Sequence, residues 1–205
     1  MHHNVLLDRR PHRATPGQSF LGRLELTQAR VHELCGPARH TLAMMIAGGM
    51  EGPVIWVRAA WEGARLHGPG MARMMDPGRV VFVDAARPVD LLWTLEEVLR
   101  SGAVPLVVGD LPNPPGLTPM RRMQLACEAG AGQGVRPLGL ILTPEGAAPG
   151  AESRWRMDPA HGAEDGWRLT RARDRQAPPR SWQVGVKAEG FALGASLSPE
   201  DAVLN

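Results

Sequence analysis

The sequence has almost no lysine, little cysteine and no long apolar run. Among its 23 lysine and arginine residues, Lys187 alone is a lysine. The two cysteines, Cys35 and Cys127, do not form a C-x-x-C pair, which gives neither a disulfide framework nor a zinc site. No apolar run reaches membrane-spanning length and no signal peptide is evident, so we expect a cytoplasmic protein with no membrane span.

The chain is close to electrically neutral. Its formal net charge is +2 over 205 residues, so charge alone predicts no strong non-specific affinity for nucleic acid. Four of the seven histidines, at positions 32, 40, 67 and 161, lack metal-ligand spacing, and we expect no metal site. No Ser-His-Asp or Cys-His arrangement indicates nucleophilic catalysis.

Apolar runs and helical periods alternate through residues 31–142. The continuous apolar runs predict strands buried on both faces, and the helical periods between them predict helices. The alternation predicts an α/β sandwich with a mostly parallel central sheet and right-handed crossovers. We read Thr118 as the N-cap of the last helix. The predicted strands are 31–34, 53–57, 80–83, 104–109 and 138–142, and the predicted helices are 38–47, 64–75, 88–100 and 118–130.

Short alternating segments replace this pattern after residue 150. They predict C-terminal antiparallel strands at one edge of the sheet. These segments are 154–157, 166–173 and 181–187.

The two ends of the chain read as tails. The first 22 residues are polar and basic, and the last 18 look weakly ordered, although such a segment can fold on a partner. The predicted organisation is an N-terminal arm or tail (1–22), a core domain (23–187) and a C-terminal tail (188–205).

Residues 33–43 have the outline of a strand, a Gly-Pro turn and a helix. A phosphate loop of the RecA type needs the pattern G-x-x-x-x-G-K-[ST], because its backbone amides wrap the phosphates and its lysine reaches the terminal ones. Here Gly36-Pro37 leads almost directly to Thr41. The second glycine and the lysine are missing, and the loop is about three residues short. The sequence therefore predicts a degenerate phosphate loop without ATPase activity.

Several motifs resemble known families. The segment 99–110, Leu-Arg-Ser-Gly-Ala-Val-Pro-Leu-Val-Val-Gly-Asp, resembles the RecA stretch that ends in the Walker B aspartate. The order and spacing of further motifs resemble the ImuA family more narrowly, over roughly residues 24–187. These motifs are VHELCG at 31–36, the stretch from Trp93 to Ala103, RRMQLACEAG at 121–130, SRWR at 153–156, and the stretch from Trp167 to Trp182.

The ImuA resemblance implies a fold and a function. It implies a RecA-like three-layer α/β/α sandwich that lacks a working ATP site and has no cofactor. ImuA-like proteins act beside ImuB, an inactive relative of Y-family polymerases, and an error-prone C-family replicative polymerase in SOS-induced translesion DNA synthesis. The implied role is a non-catalytic accessory or scaffold protein, whose partners are an ImuB-like protein and, beyond it, the C-family polymerase, RecA and DNA.

Two alternatives stay open at this point. SulA, the SOS inhibitor of cell division, resembles the same truncated RecA core, so a SulA-like division inhibitor is one alternative. A degenerate nucleotide-binding sensor is the other.

The candidate nucleotide site follows from the same resemblance. Asp110 stands where a Walker B carboxylate would hold the magnesium shell, and Thr41 could supply the hydroxyl ligand. Asp110 also reads as a strand-end residue that caps a loop. Arg58 and its neighbours fill the place of the water-activating glutamate. The degenerate site comprises Gly36, Pro37, Arg39, Thr41 and Asp110.

Arginines form the candidate contacts with DNA or a partner, with a solvated outer face as the alternative. Arg171, Arg173 and Arg175 alternate along a predicted strand and would project to one face. The full candidate set is Arg121, Arg122, Arg154, Arg156, Arg171, Arg173 and Arg175.

Three tryptophans and two loops bear on whether the chain contacts DNA. Trp155, Trp167 and Trp182 could stack on bases beside the arginines or could pack in the core. The two segments that correspond to the DNA-binding loops of RecA, 111–117 and 144–152, contain no basic residue. Phosphate contact needs positive charge, so the sequence predicts no RecA-style DNA binding through these loops.

Overall fold

The computed structural model describes residues 16–160, 166–187 and 190–197. These residues form a nine-stranded sheet, a separate two-stranded hairpin and four α-helices. In chain order the elements are β1 Gly17–Phe20, β2 Leu24–Thr27, β3 Val31–Cys35, α1 Arg39–Gly48, β4 Val54–Ala59, α2 Gly68–Met71, a 3-10 turn Pro77–Arg79, β5 Val80–Ala85, α3 Pro88–Ser101, β6 Leu106–Asp110, α4 Leu117–Ala131, β7 Leu138–Thr143, β8 Ser153–Ala160, β9 Gly166–Asp174, β10 Arg180–Lys187 and β11 Gly190–Leu197.

The large sheet has the strand order β11-β10-β9-β8-β3-β7-β6-β4-β5. Six strands that are consecutive in this order, β8, β3, β7, β6, β4 and β5, run parallel to one another. The pairs β8–β9, β9–β10 and β10–β11 are antiparallel. The prediction of a mixed α/β fold with a mostly parallel sheet and antiparallel C-terminal strands is confirmed. Strand β8 is where the direction changes, because it runs parallel to β3 and antiparallel to β9.

Two apolar clusters pack against the sheet. One contains α1 residues such as Leu42 together with Trp56 of β4. The other contains Leu95 of α3 and Met123 of α4 together with Val57 of β4. Because successive side chains of a strand point to opposite faces, Trp56 and Val57 place the two clusters on opposite faces of the sheet.

Strand β5 is not buried on both faces as the sequence predicted. It is the edge strand next to β4, and both Val81 and Phe82 are exposed. An apolar run predicts a strand, but the order of strands decides which run lies at an edge. The Arg58 guanidinium, 4.4 Å from the centre of the Phe82 ring, covers part of this edge.

Two predicted helices differ at their bounds. The helix predicted over 64–75 is reduced to α2, four residues with the sequence Gly-Pro-Gly-Met. Pro69 suits the first turn of such a short helix. Helix α4 begins at Leu117 after Gly116, and no side chain caps it, so the assignment of Thr118 as N-cap was wrong. No helix within the described ranges is long and apolar enough to cross a lipid bilayer.

Parts of both predicted tails are strands. Strand β1 pairs with β2, and β11 pairs with β10. The Phe20 ring packs edge-on against Trp155 at 5.2 Å, and Arg23 donates a hydrogen bond to the Gly194 carbonyl at 2.7 Å. These contacts attach the hairpin to the antiparallel strands. The rest of the predicted tails, residues 1–15, 188–189 and 198–205, lies outside the described residues.

A buried histidine links the hairpin to the sheet. His32 Nε2 lies 2.9 Å from the Thr27 carbonyl oxygen, and Nδ1 lies 2.6 Å from Ser153 Oγ. A carbonyl only accepts, so Nε2 carries the proton and Nδ1 accepts from the Ser153 hydroxyl. Ser153 Oγ accepts in turn from Trp155 Nε1 at 2.8 Å. Burial lowers the pKa of His32 to about 4, so the ring is neutral at physiological pH.

We expect this histidine to make stability depend on pH. The folded pKa of about 4 lies below the ordinary 6.5, so the unfolded chain binds more protons between these values and stability falls as pH falls through them. Acidification from about pH 7.5 to about pH 5 should cost about 2 kcal/mol through His32. Urea unfolding at both pH values measures the loss. The His32→Gln variant should lose about 2 kcal/mol less of its unfolding free energy on acidification, because it has no imidazole to protonate. An equal loss in both proteins would contradict the low pKa of His32.

Candidate functional site

The candidate nucleotide site lies at the C-terminal edge of the parallel strands. The turn Gly36–Ala38 joins β3 directly to α1. Gly36 has φ +89°, and a β-carbon there would lie 2.6 Å from the carbonyl oxygen of Met157. Only glycine fits this position without strain. Pro37 is exposed, and Arg39 and Thr41 are half-buried in the first turn of α1.

The backbone amides of this turn already have partners within the protein. The Gly36 amide donates to the Pro144 carbonyl, and the Ala38 amide donates to the Met157 carbonyl, both at 3.0 Å. The Arg39 amide donates to the Gly36 carbonyl at 3.2 Å. Pro37 has no N–H to offer. A phosphate loop works by presenting free amides to the anion, and these three amides are occupied.

Asp110 lies at the tip of β6, as predicted, and is paired with His40. His40 Nε2 lies 2.8 Å from Asp110 Oδ2, and both side chains are about a quarter exposed. The pair joins the start of α1 to the end of β6. The pairing of His40 with Asp110 could not be predicted from the sequence, because the two residues are 70 positions apart and form no local motif.

A small cavity adjoins the pair. Its volume is about 180 Å³. It is lined by Arg58, which stands at the place of the water-activating glutamate, and by Arg65, which was not predicted as a site residue. Arg58 Nε lies 2.6 Å from Asp84 Oδ1, and this guanidinium holds the pKa of the Asp84 carboxyl below its ordinary value. The charged lining residues are Arg39, His40, Arg58, Glu62, Arg65 and Asp110.

A fully buried carboxylate lies behind the turn. Glu33 of β3 accepts hydrogen bonds from Thr143 Oγ1 at 2.7 Å and from the Ala148 amide at 3.0 Å. Arg154 Nε lies 2.5 Å from the other carboxylate oxygen, and its Nη2 donates to the Ala148 carbonyl at 3.0 Å. The guanidinium of Arg154 is therefore committed to the fold, which argues against its predicted role in DNA contact.

Comparison with known proteins supports the family that the order of motifs indicated. No family model matches the chain. It is 29% identical to Protein ImuA of Caulobacter vibrioides strain NA1000 / CB15N over 206 aligned residues, which cover 86% of this chain and 82% of that protein. Protein ImuA of Caulobacter vibrioides strain ATCC 19089 / CIP 103742 / CB 15 gives the same values. The resemblance to the ImuA family that the motifs predicted is therefore confirmed.

The other candidate arginines occupy different environments. Arg122 lies 2.8 Å from Glu96, and Arg156 lies 2.9 Å from Asp158. Arg121 is exposed on α4. The structure thus places the predicted arginines on α4, on β8 and β9, and in the turn after β9, where Arg175 lines one pocket of about 400 Å³ together with Arg121.

The prediction that Arg171, Arg173 and Arg175 share one face is wrong. A bulge shifts the register of β8 and β9, so that Arg154 faces Arg173 while Trp155 faces Arg171. Arg175 lies beyond the end of β9.

Base stacking by Trp155 or Trp182 is also excluded by their positions. Their exposed fractions are 1% and 4%, because the two rings stack on each other at 5.9 Å within the core. The Arg171 guanidinium lies over both rings, 5.7 Å from Trp155 and 5.4 Å from Trp182. Trp167 is half-buried against Phe191 at 5.8 Å.

Exposed aromatic side chains lie instead near α3. Trp93 is 59% exposed on this helix, and Trp61, after β4, is 46% exposed. Trp61 lines a cleft of about 440 Å³ together with Leu92 of α3 and the proline-rich segment 111–115. Exposed tryptophan beside an apolar cleft is typical of protein interaction surfaces. This surface could not be predicted from the sequence, because the exposure of a tryptophan depends on the packing of distant segments.

We expect alanine substitution to destabilise the protein at a structural arginine and to leave its stability almost unchanged at a surface arginine. Arg154→Ala leaves Glu33 buried without its cation and should cost about 3 kcal/mol or more. Arg173→Ala removes an exposed side chain and should stay within about 0.5 kcal/mol. Urea unfolding of the two variants measures the difference. Equal losses would show that Arg154 is not the structural partner of Glu33.

Proposed function

We propose that this chain is a non-catalytic, RecA-like accessory and scaffold protein in SOS-induced, error-prone translesion DNA synthesis. The ImuA relatives support this role. In this proposal the sheet and the helices on its two faces correspond to a RecA-like three-layer α/β/α sandwich. The nucleotide edge of that sandwich no longer turns over ATP, and the protein works by binding other proteins in the cytoplasm.

The occupied turn before α1 carries the proposal. A triphosphate would need the amides of Gly36, Ala38 and Arg39, which are donated to protein carbonyls. It would also need a lysine, and the sequence has only Lys187, on β10. A cavity of about 180 Å³ is smaller than the roughly 300–1,000 Å³ that small-molecule sites occupy. His40 pairs with the carboxylate that would otherwise face a magnesium shell.

The proposed partner is an ImuB-like inactive relative of Y-family polymerases, with the error-prone C-family polymerase completing the assembly. The apolar cleft beside Trp61 and the exposed Trp93 offer the surface that such binding needs. Tryptophans contribute a large share of the binding energy at protein interfaces. We therefore assign this cleft to the ImuB-like partner.

We expect Mg-ATP to leave the protein unchanged. Thermal unfolding should give the same melting temperature with and without millimolar Mg-ATP. A ligand present at about one hundred times its Kd would add about 2.7 kcal/mol to the folded state. The Asp110→Ala variant is the matched control, since it removes the carboxylate and frees His40. ATP hydrolysis that disappears in this variant would overturn the proposal.

We expect the tagged protein to co-purify with the ImuB-like protein of the source organism after DNA damage. Trp61→Ala and Trp93→Ala should each weaken this binding by about tenfold or more, because each removes an aromatic anchor. Leu125→Ala, which removes a 63% exposed side chain from α4, is the control and should bind normally. Undiminished binding by both tryptophan variants would reject the cleft while leaving the function intact. Failure of the unaltered protein to bind would reject the function.

A further inference from the structure

A pocket of about 400 Å³ lies beside α4, at the edge of the sheet where β3 and β8 begin. Its walls come from α4, from the residue before β3, from the connection before β8 and from the turn after β9. Among the described residues, none of those that line it also lines the candidate nucleotide site or the cleft beside Trp61. It is therefore a separate site on the molecule.

Two guanidinium groups of this pocket have little or no partner within the described part of the chain. Arg121 is exposed on α4 and forms neither an ion pair nor a hydrogen bond with any described residue. The side chain of Arg175 is 56% exposed, and its Nε lies 3.6 Å from Glu152, which is longer than a hydrogen bond. Both arginines therefore have N–H donors available to a ligand.

The acidic side chains of the pocket do not neutralise these cations. Glu128 is paired with Arg30, whose Nη1 lies 2.5 Å from Glu128 Oε1. The buried Glu152 lies between two guanidinium groups, 3.7 Å from Arg30 Nε and 3.6 Å from Arg175 Nε. Three arginines thus share two carboxylates, and one positive charge remains in the pocket. Guanidinium groups bind carboxylates with charge-assisted, bidentate hydrogen bonds, so the pocket favours a ligand that carries a carboxylate.

Two leucines of α4 form the apolar part of the same pocket. Leu117 is 43% exposed and Leu125 is 63% exposed. Gln124 of the same helix donates from Nε2 to the Val31 carbonyl at 3.0 Å and to the Gly150 carbonyl at 3.1 Å, which fixes α4 against the sheet. Aliphatic surface beside a few placed polar groups is typical of a ligand site. The combination fits a peptide segment with neighbouring acidic and aliphatic side chains.

Strand β11 ends at the same edge of the sheet. Leu197 pairs with Ser181 at the start of β10, and Asp174, the residue before Arg175, pairs with Ser153 at the start of β8. Four strand spacings of about 4.8 Å, roughly 19 Å in all, separate β11 from β3. A chain of seven residues can span about 23 Å. Residues that follow Leu197 can therefore reach the pocket.

The sequence that follows Leu197 complements this pocket. Residues 198–205, which lie outside the described ranges, read Ser-Pro-Glu-Asp-Ala-Val-Leu-Asn, with two acids, two branched aliphatic side chains and no basic residue. We propose that residues 200–204 occupy the pocket of their own chain. Their two carboxylates bind the guanidinium groups of Arg121 and Arg175, and their aliphatic side chains pack against the leucines of α4. Another anionic ligand must then displace the segment before it reaches these arginines.

Fluorescence anisotropy with a labelled peptide of the sequence 198–205 tests the proposal on the full chain. The charge-reversed chain, with Glu200→Arg and Asp201→Arg, has lost its own ligand, so its pocket is free for the peptide. In the unaltered chain the internal segment competes at an effective concentration of about 1 mM. For a peptide Kd of about 0.1 mM, the unaltered chain should bind the peptide about tenfold more weakly than the charge-reversed chain.

Charge reversal in the pocket should remove this binding. Arg121→Glu and Arg175→Glu, each added to the charge-reversed chain, should weaken the peptide about tenfold or more, because each replaces a cation with a repelling carboxylate. A peptide with lysine in place of both acids should regain affinity for the two variants combined, which a misfolded protein would not show. Arg73→Glu makes the same charge change at an exposed position after α2, at the other end of the sheet, and should bind the peptide normally.

Disulfide formation in the full chain tests where the segment lies. Leu125→Cys combined with Val203→Cys should form an intramolecular disulfide about tenfold or more faster than a control pair, because binding raises the local concentration of the two thiols. The control pair is Val81→Cys with Val203→Cys, and Val81 is 52% exposed on the edge strand β5. The native Cys35 and Cys127 are buried. Mass spectrometry of the digested protein identifies the disulfide.

Four outcomes would overturn the proposal. The first is no peptide binding by the charge-reversed chain. The second is equal binding by the unaltered and charge-reversed chains, which would leave the pocket to a segment of another protein. The third is equal disulfide rates for the two cysteine pairs. The fourth is a disulfide only between two chains, which would assign the segment to a second copy. None of these outcomes bears on co-purification with the ImuB-like partner, so the two proposals fail separately.

Discussion

The buried carboxylate of Glu33 is the interaction on which the surrounding architecture depends. A charge removed from water is strongly unfavourable unless hydrogen bonds and an opposite charge replace the lost solvation. Glu33 obtains these from Thr143 on β7, from the Ala148 amide and from Arg154 on β8. One side chain therefore fixes two neighbouring strands and the connection between them. Position 33 can hold a carboxylate only while all three partners stay in place, so the central sheet and its antiparallel extension are energetically coupled.

This coupling also determines the state of the turn before α1. Pro144, at the start of the connection, accepts the Gly36 amide, and Met157 on β8 accepts the Ala38 amide. Both acceptors belong to the segment that the Glu33 cluster positions. Opening the turn around a phosphate would break these bonds and would leave the carbonyl of the buried Met157 without this donor, at a cost of about 1–3 kcal/mol. The absence of lysine from residues 33–43 and the closed turn are consistent with each other, because amides that bind no anion can donate to protein carbonyls instead.

The sequence predicted the features that depend on local periodicity. The strands β3, β4, β6 and β7 and the helix α3 lie within a few residues of their expected bounds, because burial on both faces and a one-sided apolar stripe leave clear patterns. The exposure of β5 could not be predicted, since its apolar run resembles those of central strands and only the strand order makes it an edge. The strand β11 was missed because its small residues give little alternation. At the candidate site, the sequence predicted the place of Asp110 at a strand tip. It did not predict the partner of Asp110, because His40 is 70 residues away in the chain.

The arginines show most clearly why residue type is insufficient to assign function. Arg154 and Arg180 are the same amino acid on neighbouring parts of one sheet, yet they affect folding in opposite directions. Arg154 offsets the burial of Glu33, and the fold requires it. Arg180 faces Arg171 and opposes folding slightly, by about 0.2–1 kcal/mol. A domain with roughly 5–15 kcal/mol of stability tolerates such a pair easily. Residue type alone therefore predicts neither the sign nor the size of an arginine's effect on folding, because both depend on the charges that the strand register places beside it.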